Sequence, residues 1–315
     1  MSERSKRSAD AAEPLDRANR VDSVDSATEA FVAHRNLLFT VAYEMLGSAA
    51  DAEDVLQETW LRWVDVDLDT VREERAFLMR IVTRQALDRL RALGRRKEAY
   101  VGPWLPEPLL TAPDVAEDVE LAESVSMAML LVLETLQPTE RAVFVLREVF
   151  GLDYDEIAEA VDKSPNAVRQ IAYRARAHVA ARRPRGIASP AEARAALQAF
   201  QQAVETGDLQ SLLDILAPDV VALSDGGGVR HALLRPVVGI DNVARLLAVG
   251  WWKRDAERSV ELVQINGGPG LLVRVDGKID GVVAVRVENG YVTGAYHVRN
   301  PEKLSRVERE TAVTR

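Results

Sequence analysis

The 315-residue chain contains no cysteine. That excludes a disulfide framework and a thiolate zinc site, and it fits a reducing, cytoplasmic compartment. No apolar run is long enough to span a bilayer, so no membrane partner is expected. The opening "MSERSKRSADAAEPLDRANRVDSVDSATEA" lacks the apolar middle of a secretory signal. Its mixed charge reads as a disordered tail over residues 1–26. Nothing in the chain argues for a metal or a cofactor. One further absence is local. The run "SPNAVRQIAYRARAHVAARRP", Ser164–Pro184, holds no Asp or Glu and carries Arg169, Arg174, Arg176, Arg182 and Arg183, although the whole chain has a formal net charge of -9. An acidic average argues against indiscriminate nucleic-acid binding, so any DNA contact must be local or depend on a partner.

Length implies two or three domains, and an apolar fraction of 47% is ample for their cores. Residues 27–97 read as helices throughout: "FVAHRNLLFTVAYEMLG", stopping at Gly47, then "DAEDVLQETWLRW" and "ERAFLMRIVTRQALDRLRALGRRK". Residues 98–124 read as an extended linker, because Pro103, Pro106, Pro108 and Pro113 exclude a continuous helix. Helical pattern resumes over residues 125–187, and Pro184, Gly186 and Pro190 mark a second boundary. Residues 188–304 begin with "AEARAALQAFQQAVETG" and "DLQSLLDILAP" as helices. A helix in "IDNVARLLAVGWW" and the β-rich segments "VELVQI", "GLLVRV", "GVVAVRVENG" and "YVTGAYHV" follow. That order suggests an α+β domain with a meandering antiparallel sheet. Residues 305–315 read as a C-terminal tail.

In the basic stretch, Ser164 is a good N-cap and Pro165 suits the first helical position. At about 100° per residue, Val168, Ile171, Ala172, Ala175 and Val179 share one face, and Asn166, Arg169, Gln170, Tyr173 and Arg174 share the other. "DYDEIAEAV" forms a preceding short helix and "DKS" a tight turn, which is the pattern of a helix-turn-helix. Arg pairs in bidentate fashion with guanine and Gln with adenine in the major groove, while Arg176, Arg182 and Arg183 lie toward phosphates. The bland alternative is a solvated basic helix on a bundle. In "DAEDVLQETWLRW", Ala52, Val55, Leu56, Thr59 and Trp63 form a core face; Glu53, Asp54 and Gln57 face away with Leu61 and Val64 among them. A carboxylate-rich face containing apolar residues suits docking on a basic partner, and an ordinary exposed acidic helix is the alternative. The next helix carries Arg80, Arg84 and Arg91 in one stripe.

An acidic docking face, a basic stripe, a proline-rich tether and a helix-turn-helix, in that order, resemble the extracytoplasmic-function sigma factors. "DAEDVLQETWLRW" resembles their core-polymerase-binding helix and "RIVTRQALDRLR" their −10-engaging helix. "LQPTERAVFVLREVFGLDYDEIAEAVDKSPNAVRQIAYRARAHV" resembles region 4, which reads the −35 element. The resemblance implies two all-α sigma domains that bind core RNA polymerase through its clamp helices and flap, together with promoter DNA. Asp51, Asp54, Gln57, Glu58 and Leu61 would bind polymerase. Asn166, Arg169, Gln170, Tyr173, Arg174 and Arg176 would read or brace the −35 element, and Arg80, Arg84, Asp88 and Arg89 would sit at the −10 element. The chain departs from the family's usual Arg-Asn at Thr83-Arg84, so the −10 sequence does not carry over. The base-capturing loop falls in "VDVDLDTVREE", which is unusually acidic. Holding an unstacked base costs a few kcal/mol, much of which polymerase contacts would offset.

The remainder resembles a SnoaL-like (NTF2-like) cone, and three short pieces match the subgroup of these sigma factors that carries one. They are "WLPEPL" in the linker, "DGGG" at Asp225–Gly228 and "NPEKL" from Asn300. The expected regulatory contact joins Trp104, Leu105 and Pro106 to Asp225, Gly226, Gly227, Gly228, Asn300 and Pro301. The alternatives are a stiff spacer for "WLPEPL" and a flexible turn for "DGGG". The acidic "EDVELAE" would occupy the polymerase's nucleic-acid path, as family linkers do. Related folds place an Asp or His base in an apolar cone. Asp225, His231, Tyr296 and His297 are the candidates here, but no spacing pairs a base with an oxyanion donor, and no enzyme is expected. A small apolar ligand of the cone is the remaining expectation. The competing reading is a helix-turn-helix regulator whose C-terminal domain senses a ligand.

Overall fold

The structure is a computed structural model and describes residues 12–112, 115, 118–183, 188–250 and 257–315. The first helical bundle contains α1 (Ala12–Leu46), α2 (Ala49–Trp63) and α3 (Glu74–Glu98). Gly47 takes φ +67 between α1 and α2, and Ser48 caps α2 by accepting from the Asp51 amide. The helix α1 begins at Ala12, which corrects the expected disorder from there to Ser26; the first eleven residues lie outside the described residues. The anchor is tertiary: Ala27 is buried and its carbonyl accepts from the Trp63 indole at 2.8 Å.

The second bundle holds α4 (Val119–Ser124), α5 (Met127–Leu133), α6 (Pro138–Phe144, continued by a π-turn), α7 (Tyr154–Val161) and α8 (Pro165–Ala180). A short helix, α4, capped by the Asp118 carboxylate, falls within the linker segment expected to be extended. Both bundles share one apolar core that runs from Phe31 through Leu87 and Leu146 to Val179. Pro184 to Gly186, expected to mark the next boundary, lie outside the described residues.

The last domain packs α9 (Pro190–Thr206), α10 (Leu209–Ile215) and α11 (Ile240–Gly250) against a six-stranded sheet ordered β2-β1-β6-β5-β4-β3. The strands are β1 (Leu216–Asp225), β2 (Val237–Val238), β3 (Arg258–Ile265), β4 (Gly268–Val275), β5 (Lys278–Glu288) and β6 (Tyr291–Val298). β3 to β6 form the expected antiparallel meander, but β1 runs parallel to β6. The expected helix "DLQSLLDILAP" stops at Ile215, because Leu216 already pairs with Val292. Phe200, Leu247, Leu271 and Val283 fill the space between helices and sheet.

Residues 305–315 are not a loose tail. Val307 and Val313 are buried, and the Thr311 amide donates to the Leu110 carbonyl at 2.7 Å. The Thr314 amide donates to the Thr40 hydroxyl at 3.0 Å. Two valines and two hydrogen bonds from backbone amides hold the segment, Val307 in the cluster around Leu105 and Val298 and Val313 in that of the helical bundles. No described helix is long and apolar enough to cross a membrane.

Candidate nucleic-acid interface and its internal joint

The helix-turn-helix presents its polar side outward. Ser164 caps α8 through the Ala167 amide at 3.3 Å, and Val168, Ile171, Ala172, Ala175 and Val179 are buried beneath. Asn166, Arg169, Gln170, Tyr173, Arg174 and Arg176 are all exposed, Tyr173 by 70%. Arg169 donates to Asn166 at 2.8 Å and lies 5.4 Å from the Tyr154 ring centroid. Arg174 stands 3.6 Å from Glu140 and Arg176 3.7 Å from Glu148, exposed pairs that DNA phosphates can displace.

On the first bundle, Asp54, Gln57, Glu58 and Leu61 form an exposed stripe along α2, whereas Asp51 is largely buried in its first turn. Arg89 lies beside this stripe rather than with Arg80 and Arg84. It donates to Asp54 at 2.8 Å, with Asp51 at 3.6 Å and Glu58 at 3.8 Å. The helical period explains the separation, since Arg89 falls about 180° around α3 from Arg80. Asp88 pairs with Arg91 at 3.1 Å on the surface.

Arg80 and Arg84 face the second bundle. Arg80 pairs with the Glu159 carboxylate at 3.0 Å and stacks 4.6 Å from the Phe77 ring centroid. Arg84 donates to the Glu159 carbonyl at 2.8 Å. One residue of α7, the bracing helix of the helix-turn-helix, therefore engages two of the three arginines expected at the −10 element, with Arg84 still exposed.

The linker is the third part. The Leu105 amide donates to Asp225 at 2.9 Å, and the Tyr100 hydroxyl donates to its other oxygen at 2.6 Å. Lys303 donates to Asp225 at 2.8 Å and to the Leu105 carbonyl at 2.7 Å, with its ammonium 3.3 Å from the Trp104 ring centroid. Burial pushes the Lys303 ammonium pKa down, and Asp225 opposes that shift. Asn300 donates to the Tyr100 hydroxyl at 2.8 Å, and Pro301 opens the short 3-10 turn that carries Lys303. The glycines after Asp225 make the approach feasible. A Cβ on Gly226 would lie 2.2 Å from the Arg230 carbonyl, and one on Gly227 2.5 Å from the Asn300 side chain. A Cβ on Gly228 would meet Val101 at 3.3 Å. Pro106 follows in the extended strand and is buried.

Three further residues of the joint escaped the sequence reading. Glu107 accepts from the Ser48 hydroxyl at 2.7 Å and from the Ala49 and Ala50 amides at 2.8 and 3.1 Å, closing the N-terminus of α2. Burial pushes its carboxyl pKa up, against these three donors. Asn266 donates to the Tyr43 hydroxyl at 2.7 Å and to the Val125 carbonyl at 2.8 Å, and accepts from the Leu109 amide at 3.0 Å. It ties both bundles and the linker to the C-terminal domain. In the sequence it is only the first residue of an Asn-Gly turn; Lys303 stood inside "NPEKL" without any mark of its role.

A buried polar layer also joins the bundles. Glu44 accepts from the Ser124 hydroxyl at 2.7 Å, and Arg141 donates to the Glu44 carbonyl at 3.0 Å and to Glu134 at 2.7 Å. Lys97 pairs with Glu134 as well. Burial pushes the Glu44 carboxyl up to about 8, with Ser124 and Arg141 only partly countering it. The acidic linker stretch is likewise engaged, Glu123 with Arg183 at 2.5 Å and Asp118 with Arg315 at 3.0 Å.

Of the residues considered for catalysis, His231 and His297 line a cavity in the cone, while Asp225 is taken up by the linker. Tyr296 lies on the opposite face of β6 from His297. The four do not converge on one site.

Two helical DNA-reading units joined through a clasped linker define a transcription initiation factor with an attached α+β domain. Residues 30–96 match the Sigma-70 region 2 family and residues 126–179 match Sigma-70 region 4. The chain is 35% identical to the ECF RNA polymerase sigma factor SigJ of Mycobacterium tuberculosis over 289 residues, covering 87% of this chain and 92% of that one. It is 32% identical to the probable ECF RNA polymerase sigma factor SigI of the same species, covering 87% of this chain and 93% of that one. The crystal structure of Mycobacterium tuberculosis SigJ aligns with TM-score 0.69 and 31% identity, covering 88% of this chain and 98% of that one. The chain belongs to the extracytoplasmic-function sigma factors of RNA polymerase, with an α+β domain at its C-terminal end.

Proposed function

We propose that this sigma factor recruits core RNA polymerase in the cytoplasm and rests in a closed form that its own C-terminal domain holds. Asp54, Gln57, Glu58 and Leu61 meet the polymerase clamp helices. Asp51 and Arg89 set the charge and geometry of that face from behind. Asn166, Arg169, Gln170, Tyr173 and Arg174 read the −35 element, and Arg176 braces the phosphates. Arg80, Arg84 and Asp88 serve the −10 element. The observation that carries the closed form is the double engagement of Arg80 and Arg84 by Glu159. Those arginines give up Glu159 for DNA only as the bundles part, and the bundles part only as far as the linker allows. The linker is held at Asp225, Lys303 and Asn266. A fused domain acts at an effective concentration of roughly mM, enough to do the work of a separate inhibitor. Its cone also takes a small ligand.

Run-off transcription with core polymerase tests the reading. Lys303→Met and the paired change Trp104→Ala, Leu105→Ala should raise output from a cognate promoter relative to the unaltered chain. Output indistinguishable from the unaltered chain would sink the closed-form proposal. Failure of every variant to bind core polymerase would sink the polymerase-docking assignment.

A further inference from the structure

The C-terminal domain carries two Asn-Gly dipeptides, each the turn of a hairpin: Asn266-Gly267 joins β3 to β4, and Asn289-Gly290 joins β5 to β6. Both asparagines take a left-handed φ, +54 and +52, as two-residue hairpin turns of this kind require. Their surroundings are opposite. Asn289 and Gly290 are exposed, and a Cβ on Gly290 would meet nothing within 4 Å. Asn266 is 1% exposed, and a Cβ on Gly267 would lie 2.6 Å from the Ala122 backbone. Glycine follows Asn266 because α4 leaves no room there for a side chain.

The same fit places a reactive pair inside the joint. An asparagine followed by glycine cyclises without a catalyst, since no side chain hinders the glycine nitrogen. Hydroxide takes the glycine amide proton, the nitrogen attacks the asparagine Cγ, and the bond to Nδ2 breaks to release ammonia and leave a succinimide. Water then opens that ring at either carbonyl, giving aspartate or its β-linked isomer. In the closed chain the reacting groups are tied. The Gly267 amide donates to the Thr111 hydroxyl at 3.0 Å, and the Asn266 amide to the Leu109 carbonyl at 2.9 Å. The Asn266 side chain is held by Leu109, Tyr43 and Val125. All four partners lie on the linker or the bundles, none on the C-terminal domain. Parting of the joint therefore frees the pair at once and leaves a bare hairpin turn like Asn289-Gly290.

We infer that Asn266-Gly267 is a self-modifying latch, shielded from deamidation while the linker is clasped, exposed by opening, and unable to re-seat once converted. This rests on the closed-form proposal. The block to re-seating comes from the partners. The Tyr43 hydroxyl donates to the Glu107 carbonyl at 2.6 Å, so it presents only a lone pair to residue 266, as the Val125 carbonyl does. A carboxylate in place of the amide would face both oxygens in a buried site, with the Leu109 amide as its one donor among those three partners. The β-linked isomer adds a carbon to the main chain and no longer fits a two-residue turn. An opened molecule that has reacted thereby stays open.

Ageing the full-length protein in heavy-oxygen water, followed by peptide mass spectrometry, tests the inference, because both turns are read in the same molecules. In the unaltered chain Asn266 should deamidate about tenfold or more slowly than Asn289, since only the open fraction reacts. Equal rates would overturn the shielding. In urea the two should react alike; an Asn266 still slow there would assign the difference to flanking sequence and overturn the shielding too. In Lys303→Met, with opening read from labels on cysteines introduced into α3 and α8, the two rates should converge. Protection that persists in a variant the labels show open would overturn the gating. Labels that show Lys303→Met closed would overturn the clasp instead, and the latch is still decided by the unaltered chain and by Asn266→Asp. That variant should show an open label distance without ageing, with thermal unfolding checking that it folds; a distance equal to the parent's would overturn the latch.

Discussion

The two contacts proposed to keep the chain closed are built from similar charges in opposite surroundings. Arg80 and Glu159 meet across the bundles with side chains 33% and 67% exposed. Lys303 and Asp225 meet at the linker with side chains 4% and 0% exposed. An exposed pair contributes about 0–1 kcal/mol and is screened by salt, whereas breaking one partner of a buried pair costs about 3–5 kcal/mol. The difference assigns separate jobs. The contact of Glu159 with Arg80, at the proposed −10 surface, is weak enough for DNA phosphates to replace. The clasp on the linker is buried, with several partners for both Asp225 and Lys303, and in the proposed closed form it yields only to a change in the C-terminal domain. In the proposed closed form, opening then begins between the bundles, and the C-terminal domain decides whether the linker follows.

The largest effect is expected at the clasp. Lys303→Met leaves the Asp225 carboxylate buried with the Leu105 amide and the Tyr100 hydroxyl but no cation, and should destabilise the closed form by about 3–5 kcal/mol. Adding Asp225→Asn should recover part of that loss, since no buried charge remains. Because the chain has no cysteine, two introduced thiols, one on α3 and one on α8, can carry probes that read the distance between the bundles. A Lys303→Met distance distribution identical to that of the parent would remove the clasp from the mechanism. Leu105→Ala comes next. Leu105 is fully buried between linker and cone, and truncation should cost about 2–3 kcal/mol and widen the same distribution.

A smaller effect comes from the polar layer between the two contacts. Glu44 has an ordinary carboxyl value of 4.5 and is raised to about 8 in the folded chain. Between those values the folded chain holds a proton that the unfolded chain has released. Its contribution to stability therefore falls as pH rises through that window and levels off above about 8. The slope is at most about 1.4 kcal/mol per pH unit. Denaturation at pH 6 and pH 8 should show this loss in the parent and much less of it in Glu44→Gln. Parallel pH profiles for the two would show that Glu44 is ionised within the folded protein.

The helix-turn-helix was legible because its information is local: a Ser-Pro start, a Gly-free 3.6-residue period and an acid-free surface all lie within α8. The α+β domain was legible from alternation and turns, although the parallel pairing of β1 with β6 left no trace, since partners so distant set no period. The same reason hid much of the joint. "WLPEPL", "DGGG" and "NPEKL" stand together in space, yet Glu107, Asn266 and Lys303 take partners 57 to 223 residues away. A buried hydrogen bond across such a span constrains one residue at each end and marks neither. The last eleven residues read only as a C-terminal tail, and nothing in their sequence marks Val307 and Val313 as buried.

The weakest contact offers the sharpest test of the comparison. Glu159→Gln keeps the shape of α7 and the backbone carbonyl that receives Arg84, and it removes only the charge facing Arg80. The expected change in the closed population is under about 1 kcal/mol at low salt and smaller still near 0.5 M salt, where screening already cancels most of the pair. The bundle-to-bundle distance should therefore differ between parent and variant at low ionic strength and converge at high ionic strength. Lys303→Met should differ from the parent at both, because salt does not reach a pair with so little exposed surface. If instead both variants lost their effect in salt, the linker clasp would be as wet and as labile as the cover over Arg80, and the division between a replaceable cover and a durable clasp would fail.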